Sequence, residues 1–272
     1  MYYNLFDSHI HSVHSPDGVH SLMYLAEQAE NRGLIGLAIT DHAECLGFEE
    51  LGYKTRVIKS AEDTAKANEA FRHRMTLALG IELGVCPGMY DVAEQISGLF
   101  AYDFVIGACH ISRQGEGLAK FDYGALSESE RHKLLAEYFE DLLELVKWGK
   151  FDSLAHITYP LRWALNNNGL RLPLEPHSEI IDELLRNLVA SGKSLEVNTS
   201  GLRGPLKDTL PPKWVIERYK ELGGKLITIG SDAHHADYVG LGLNGVMEML
   251  ASMGYEYFAF YRQRIPVMLR IV

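Results

Sequence analysis

The chain contains 272 residues, of which 47% are hydrophobic and 23% are charged, a composition typical of one large globular core. We therefore expect a single domain over residues 1–272. The formal net charge is −10 and Lys and Arg form no dense run, so we expect neither a nucleic-acid partner nor a membrane partner.

Seven short apolar runs are predicted as β-strands, and amphipathic helices separate most of them. The predicted strands are residues 3–7, 36–40, 77–83, 103–109, 152–156, 194–198 and 225–230. The predicted helices are residues 21–32, 128–147, 178–190 and 213–222, each followed by a glycine suited to a helix end. Residues 45–74 are predicted as a helical insertion, and residues 163–177 as a loop. This alternation predicts an α/β fold, either a closed barrel or an open doubly wound sheet.

Six of the seven predicted strands end in histidine or carboxylate side chains. These residues are Asp7, His9, His11, Asp41, His42, Glu82, His110, His156, Asp232 and His234. Residues i and i+2 of an extended chain point to the same side, so His9 and His11 can reach one cation, and Asp232 and His234 repeat that spacing. The first and last strands are neighbours in a closed barrel but not necessarily in an open sheet. The pattern therefore favours a barrel.

One histidine at a strand end is commonly a hydrogen-bonded structural residue, but the whole set of histidines and carboxylates indicates a metal site. Without a cation, each of these buried polar groups would need its own partner. Imidazole and carboxylate together suit zinc, manganese and iron, so the residues predict a metal site whose metal stays open. Cys45, Cys86 and Cys109 form no CxxC pair and are predicted to be buried free thiols.

These strand ends resemble the motifs of the polymerase and histidinol phosphatase (PHP) family of phosphoesterases. The matching segments are Asp7-Ser-His9-Ile-His11, Thr40-Asp41-His42, Gly80-Ile-Glu82 with His110, and Ser231-Asp232-Ala-His234. Two further segments, Phe104 to His110 and Ser15-Pro-Asp17-Gly18, resemble the histidinol-phosphatase branch. The resemblance covers almost the whole chain and implies a distorted (βα)7 TIM-like barrel.

The resemblance implies three divalent ions. The implied ligands are His9, His11, Glu82 and Asp232 for the first ion, Glu82, His110 and His156 for the second, and Asp17, His42 and His234 for the third. Family members often have histidine where this chain has Asp17. Asp7 and Asp41 are implied to orient the ligand imidazoles through their N–H groups.

The resemblance also implies that a metal-activated hydroxide attacks the phosphorus of a small-molecule phosphate ester, with Asp232, His234 and Glu82 as catalytic residues. Three ions carry +6 against three ligand carboxylates, which leaves about +3 to attract an anion. Arg162 and Arg203 follow the fifth and sixth strands and are either phosphate ligands or ordinary surface arginines. His14 is predicted to contact the substrate. The proton donor to the leaving group, Asp232 or a metal-bound water, stays open.

Hydrolysis of L-histidinol phosphate, a step of histidine biosynthesis, is the reaction that the branch implies. The alternatives are another phosphate ester, such as a nucleotide, a polynucleotide end or a phosphotyrosine, and a metal-binding barrel without catalysis. A deaminase of the amidohydrolase type fits less well because Glu82 stands where a bridging lysine is expected. The chain shows neither a signal-peptide pattern nor an apolar run of about 18 residues, so we expect a cytoplasmic protein.

Overall fold

The computed structural model describes residues 2–271 of the chain. Its strands are β1 (Phe6–Ile10), β2 (Gly36–Ile39), β3 (His42–Glu44), β4 (Thr76–Gly84), β5 (Phe104–Ala108), β6 (Ser153–Leu154), β7 (Ser194–Asn198), β8 (Ile227–Gly230), β9 (Tyr257–Arg262) and β10 (Ile265–Arg270). Its α-helices are α1 (Leu22–Asn31), α2 (Tyr53–Phe71), α3 (Tyr90–Ser97), α4 (Glu128–Trp148), α5 (Tyr159–Asn168), α6 (Ser178–Ala190), α7 (Lys213–Glu221) and α8 (Leu243–Ser252).

Seven parallel strands form a barrel in the order β1-β2-β4-β5-β6-β7-β8. The short β3 pairs with the C-terminal part of β4, beyond the part that pairs with β2. Between β8 and β1, the Asp232 N–H donates to the His9 carbonyl at 2.8 Å and the His11 N–H donates to the Ala233 carbonyl at 2.9 Å. These bonds nearly close the sheet, which confirms the predicted TIM-like barrel and excludes the open sheet.

Strand β1 begins at Phe6, three residues later than predicted. Tyr3 is 80% exposed, whereas Asp7, Ser8 and His9 are buried within the strand. Polar residues ordinarily mark the end of a buried strand, but these lie inside the barrel wall. The motif therefore starts within β1 instead of following it, and the strand itself supplies the first histidine.

Residues 163–177 are not one continuous loop, so this part of the prediction was wrong. Helix α5 continues to Asn168, and a short 3-10 helix spans Glu175–His177. Pro160 lies in the first turn of α5, and Gly169 ends the helix with φ +68°, a left-handed conformation that glycine adopts without strain. The asparagine run before Gly169 is thus a helix end, and α5 follows His156 closely at the barrel rim.

The antiparallel hairpin β9–β10, which the sequence analysis did not predict, packs on the N-terminal end of the barrel. The Phe260 ring stacks on Phe6 with centroids 4.4 Å apart, and the Tyr261 ring stacks on Phe104 at 5.1 Å. Phe6 and Phe104 are the first residues of β1 and β5. Aromatic packing therefore covers this end of the barrel and leaves the C-terminal end for a functional site.

Within residues 2–271, no helix combines the length and the apolar composition that crossing a membrane requires. The three cysteines are free thiols, as predicted. Cys45 and Cys109 are buried, but Cys86 is only partly buried, in contrast to the prediction.

Candidate metal centre

The nine predicted ligands converge at the C-terminal end of the barrel. They are supplied by β1, β3, β4, the segments that directly follow β5, β6 and β8, and the loop that follows β1. The donor atoms of eight of them, all but Asp17, form overlapping groups with all members within 4.8 Å of one another: His11, His42 and His234; His9, Glu82 and His156; His9, His11 and Asp232; and His42, Glu82 and His110. Residues far apart in sequence thus share one compact centre.

The first implied ligand set is the most deeply buried. The Nε2 atoms of His9 and His11 are 3.0 Å apart. Glu82 Oε2 lies 3.4 Å from His9 Nε2 and 3.5 Å from His11 Nε2, and Asp232 Oδ1 lies 3.4 Å from His11 Nε2. Four donor atoms therefore face one small volume.

Glu82 also belongs to the second implied set. Its Oε1 lies 2.8 Å from His156 Nε2 and 3.1 Å from His110 Nε2, and the two imidazole nitrogens are 3.5 Å apart. The two oxygens of one fully buried carboxylate thus face two different groups of imidazoles. A carboxylate in this position can bridge two cations.

The third implied set lies nearest to solvent. Asp17 has a side chain that is 63% exposed, and its two oxygens lie 3.7 Å from His42 Nε2 and 3.2 Å from His234 Nε2. The Nε2 atoms of His42 and His234 are 3.4 Å apart. Asp17 therefore reaches both imidazoles.

The positions of the histidine rings fit cation binding. His9 Nδ1 lies 2.6 Å from Glu196 and His110 Nδ1 lies 2.7 Å from Glu44, so each carboxylate accepts the Nδ1–H and turns the Nε2 atom towards the centre. Both oxygens of the buried Glu82 lie among imidazole nitrogens, and its Oε2 is 2.8 Å from His42 Nδ1. Imidazole nitrogens and carboxylate oxygens packed this closely, away from water, are the donors that divalent cations bind. The donor set therefore fits divalent metal ions.

Glu44 and Glu196 are functional residues that the sequence analysis missed. Glu44 lies two residues after His42 on β3, and Glu196 lies two residues before the end of β7. The alternation that links His9 to His11 also links His42 to Glu44. Applied to every strand, that alternation would have identified both glutamates as side chains directed at the centre.

Asp7 and Asp41 do not contact ligand imidazoles, which differs from the role that the resemblance implied. Asp7 accepts hydrogen bonds from the backbone N–H groups of Ser231 and Gly240, both at 2.8 Å. Asp41 accepts from four donors: the N–H and hydroxyl of Ser12 and the hydroxyls of Ser15 and Ser60. The Nδ1 atoms of His9 and His110 already contact Glu196 and Glu44. Asp7 and Asp41 instead stabilise the loops around the centre.

Asp41 acts on the ligands only indirectly. The Ser15 hydroxyl, which donates to Asp41 at 2.7 Å, also lies 3.0 Å from His11 Nδ1. The chain of contacts from Asp41 through Ser15 fixes the ring of His11, whose other nitrogen faces Glu82 and Asp232.

Electrostatics keep the central carboxyl groups ionised. Burial raises the pKa of Glu82, but the nearby His110, His9 and His42 outweigh it and lower that pKa well below its usual range. Burial likewise raises the pKa of Asp232, but hydrogen bonding to His11 and the charges of His9 and His234 lower it well below its usual range. Ionised carboxylates are the form that binds metal.

The backbone is strained at two of the ligands. Asp232 has φ +54° and His156 has φ +21°, although neither residue is glycine. Such conformations cost on the order of 1–3 kcal/mol and persist where the surrounding structure imposes them. At Asp232 the constraint includes Arg203, which donates to the Ser231 carbonyl at 2.6 Å and to the Asp232 carbonyl at 2.9 Å.

The three predicted substrate-binding residues have different positions. Arg162, on α5, donates to the Ser200 hydroxyl at 2.8 Å and lies 3.5 Å from Asp232 Oδ2, at the rim of the centre. Arg203 reaches the centre only through its bonds to backbone carbonyls. His14 points towards α2, where its Nε2 lies 2.8 Å from Asp63. Of the three, Arg162 is the residue best placed to contact a bound phosphate.

Tyr159 is a further side chain at the centre that the sequence analysis missed. Its ring centroid lies 4.8 Å from that of His156 and 5.2 Å from that of His110. Tyr159 begins α5, the helix that the sequence analysis did not predict, so no local signal placed it at the barrel rim.

Comparisons with known proteins agree with the fold and the motifs. The PHP domain model matches residues 7–200. A probable histidinol-phosphatase of Clostridium acetobutylicum is 28% identical over 90% of this chain and 92% of its own length. One of Thermotoga maritima is 29% identical over 94% of this chain and 95% of its own length.

A solved structure is also similar over nearly the whole chain. It is histidinol phosphate phosphatase from Lactococcus lactis in complex with zinc, L-histidinol and phosphate, with a TM-score of 0.83 and 22% identity. The match covers 96% of this chain and 98% of that protein. Because the family model matches well over half of the sequence, this chain belongs to the PHP domain family.

Proposed function

We propose that this protein is a metal-dependent phosphomonoesterase that hydrolyses L-histidinol phosphate to L-histidinol and phosphate. The observation that carries the proposal is the convergence of nine imidazole and carboxylate ligands beside the guanidinium of Arg162. The names of the relatives and the zinc, L-histidinol and phosphate in the similar structure support the choice of substrate. As part of the same proposal, we assign the reaction to histidine biosynthesis in the cytoplasm.

We assign three divalent ions to the three ligand sets implied by the resemblance, with Glu82 shared between the first and second sets. When bound, such ions lower the pKa of water to roughly 7 in favourable cases and neutralise charge on phosphoryl oxygens. The mixed nitrogen and oxygen donors admit zinc, manganese or iron. Glu196 and Glu44 hold the rings of His9 and His110 with their Nε2 atoms directed at the ions.

The side chains at the rim suit a terminal phosphate group. Among the Lys and Arg side chains of residues 2–271, Arg162 is the one that lies within 4 Å of a proposed ligand carboxylate, that of Asp232. Its guanidinium has further N–H groups that can donate to two oxygens of a dianionic phosphate. Arg203 keeps Asp232 in its strained conformation by donating to the carbonyls of the two peptide units that flank the Asp232 Cα. We therefore assign phosphate binding to Arg162 and positioning of Asp232 to Arg203.

Steady-state kinetics of a metal-analysed preparation test this function. We expect kcat/KM for L-histidinol phosphate to exceed that for 4-nitrophenyl phosphate, a nucleoside monophosphate and a phosphotyrosine peptide by at least about a hundredfold, because a binding site selects the group it hydrogen-bonds. Equal values for all four esters would contradict the substrate assignment. Absence of phosphate release from every ester, with metal bound, would contradict the phosphatase assignment itself.

A further inference from the structure

Helix α5 separates the metal centre from a second cavity of about 370 Å³. Tyr159 and Arg162 of α5 face the metal centre, whereas Leu161 and Leu165 line this cavity. None of the nine proposed metal ligands lines it. We call it the α5 cavity. Its volume falls in the range of small-molecule sites.

The walls of the α5 cavity are mostly apolar. Leu161 and Leu165 form one side, and Leu172 and Leu174, from the segment between α5 and α6, form another. Leu172 and Leu174 are at most 8% exposed, so they belong to the packed interior and provide fixed walls. Such walls suit the apolar body of a ligand.

The charged groups of the α5 cavity favour a cation. Asp208 and Glu175 line it, and within residues 2–271 neither carboxylate has a Lys, Arg or His nitrogen within 4.0 Å. The side chain of Asp208 accepts a hydrogen bond from the Thr209 N–H at 2.8 Å, and burial raises its pKa. Arg171 also lines the cavity, so the charged lining sums to −1. A monocation would neutralise that charge.

An aromatic side chain can contact a ligand in the α5 cavity. Trp214 lines it and is 39% exposed, and an indole ring beside carboxylates attracts organic cations.

We propose that the α5 cavity is a second binding site, separate from the metal centre, for a small organic monocation with an apolar body, of the arylalkylamine class. The leucine walls hold the apolar body. Asp208, Glu175 and Trp214 hold the ammonium group. This inference does not depend on the proposed phosphatase activity, because it concerns binding alone.

The first experiment tests whether phenethylamine, the probe, binds beside Trp214 and not at the metal centre. The chain has three tryptophans, so metal-loaded protein labelled with nitrogen-15 gives three indole resonances, which Trp→Phe variants assign. Trp163 packs against Tyr159 beside the metal centre, and Trp148 stacks on Tyr90 elsewhere. We expect a saturable shift of the Trp214 resonance. A shift of Trp163 with none at Trp214, or no shift at all, would contradict the proposal.

The second experiment tests the role of charge. We expect phenethylamine to bind at least about fivefold more tightly than its neutral analogue 2-phenylethanol, and Asp208→Asn to remove most of that difference. The control is Glu179→Gln, which removes a carboxylate from the shallow groove that also contains Trp214 but does not line the α5 cavity. Equal affinities of the amine and the alcohol for the unmodified protein, or equal losses in both variants, would overturn the inference.

Discussion

The two ends of the barrel are formed by the same seven strands but by opposite kinds of side chain. At the N-terminal end, Phe6 and Phe104 stack on Phe260 and Tyr261 of the C-terminal hairpin. At the C-terminal end, buried imidazoles and carboxylates converge, and Asp232 holds a strained backbone conformation. The first end stabilises the fold, and the second carries the chemistry.

This separation has a physical reason. A buried cluster of metal-binding groups is unfavourable without its ions, because imidazoles and ionised carboxylates have been removed from water. Apolar packing elsewhere must offset that cost, and an aromatic cover at the opposite end does so without entering the site. Substitutions at the two ends should therefore separate activity from stability.

The largest expected effect is that of Glu82→Gln at the C-terminal end. The amide cannot supply the negative charge that the two ligand sets share, so we expect kcat to fall at least about a thousandfold and metal content to drop. Steady-state kinetics and elemental analysis measure both. Glu248→Gln, an exposed change on α8, is the control and should match the unmodified protein. Retention of full metal content and activity in Glu82→Gln would refute the shared-ligand assignment.

The next effect is that of Arg162→Ala. Loss of the guanidinium at the rim should lower kcat/KM about a hundredfold while leaving bound metal unchanged, because Arg162 contacts Asp232 only at 3.5 Å. Arg203→Ala should instead lower metal content as well, since it frees the Ser231 and Asp232 carbonyls. Kinetics and metal analysis of the two variants side by side distinguish these roles. Metal loss in Arg162→Ala alone would reverse our assignment.

A smaller effect is expected for Glu196→Gln. The glutamine lacks the negative charge with which the carboxylate accepts the His9 Nδ1–H, so metal affinity should fall about 10- to 100-fold. Competition with a chelator measures that affinity. Glu44→Gln should act in the same way through His110. Unchanged metal affinity in both variants would show that these carboxylates do not set the protonation of the imidazoles.

The smallest effect on activity is expected at the N-terminal end. Phe260→Ala removes the ring that stacks on Phe6 and should lower the free energy of unfolding by about 3 kcal/mol, with kcat/KM within about twofold of normal. Tyr257→Ala is the matched control, because Tyr257 lies on the same strand but is 43% exposed. Urea denaturation and kinetics on histidinol phosphate measure both quantities. A large loss of activity at unchanged stability would break the separation between the two ends.

Helices with distinct ends could be placed from the sequence with little error. The predicted helix at residues 178–190 has the observed bounds, and the one at 128–147 extends one residue further. Ser127 caps the latter helix and Gly149 ends it in a left-handed conformation, so both signals lie within the local sequence. Helix α5 was missed because its asparagine-rich end is also typical of a loop.

The sequence by itself determined which side chains could bind metal, because alternation along β1 places His9 beside His11. Asp232 and His234 lie beyond the end of β8, where the positive φ of Asp232 departs from an extended strand. Only the tertiary structure decided what supports them. The bond from His9 to Glu196 spans 187 residues, and the bond from His110 to Glu44 spans 66, so barrel closure and strand register bring these partners together. The same holds for Arg203, Tyr159 and the aromatic cover. Local spacing encodes ligand geometry, whereas contacts between distant strands exist only after the chain has packed.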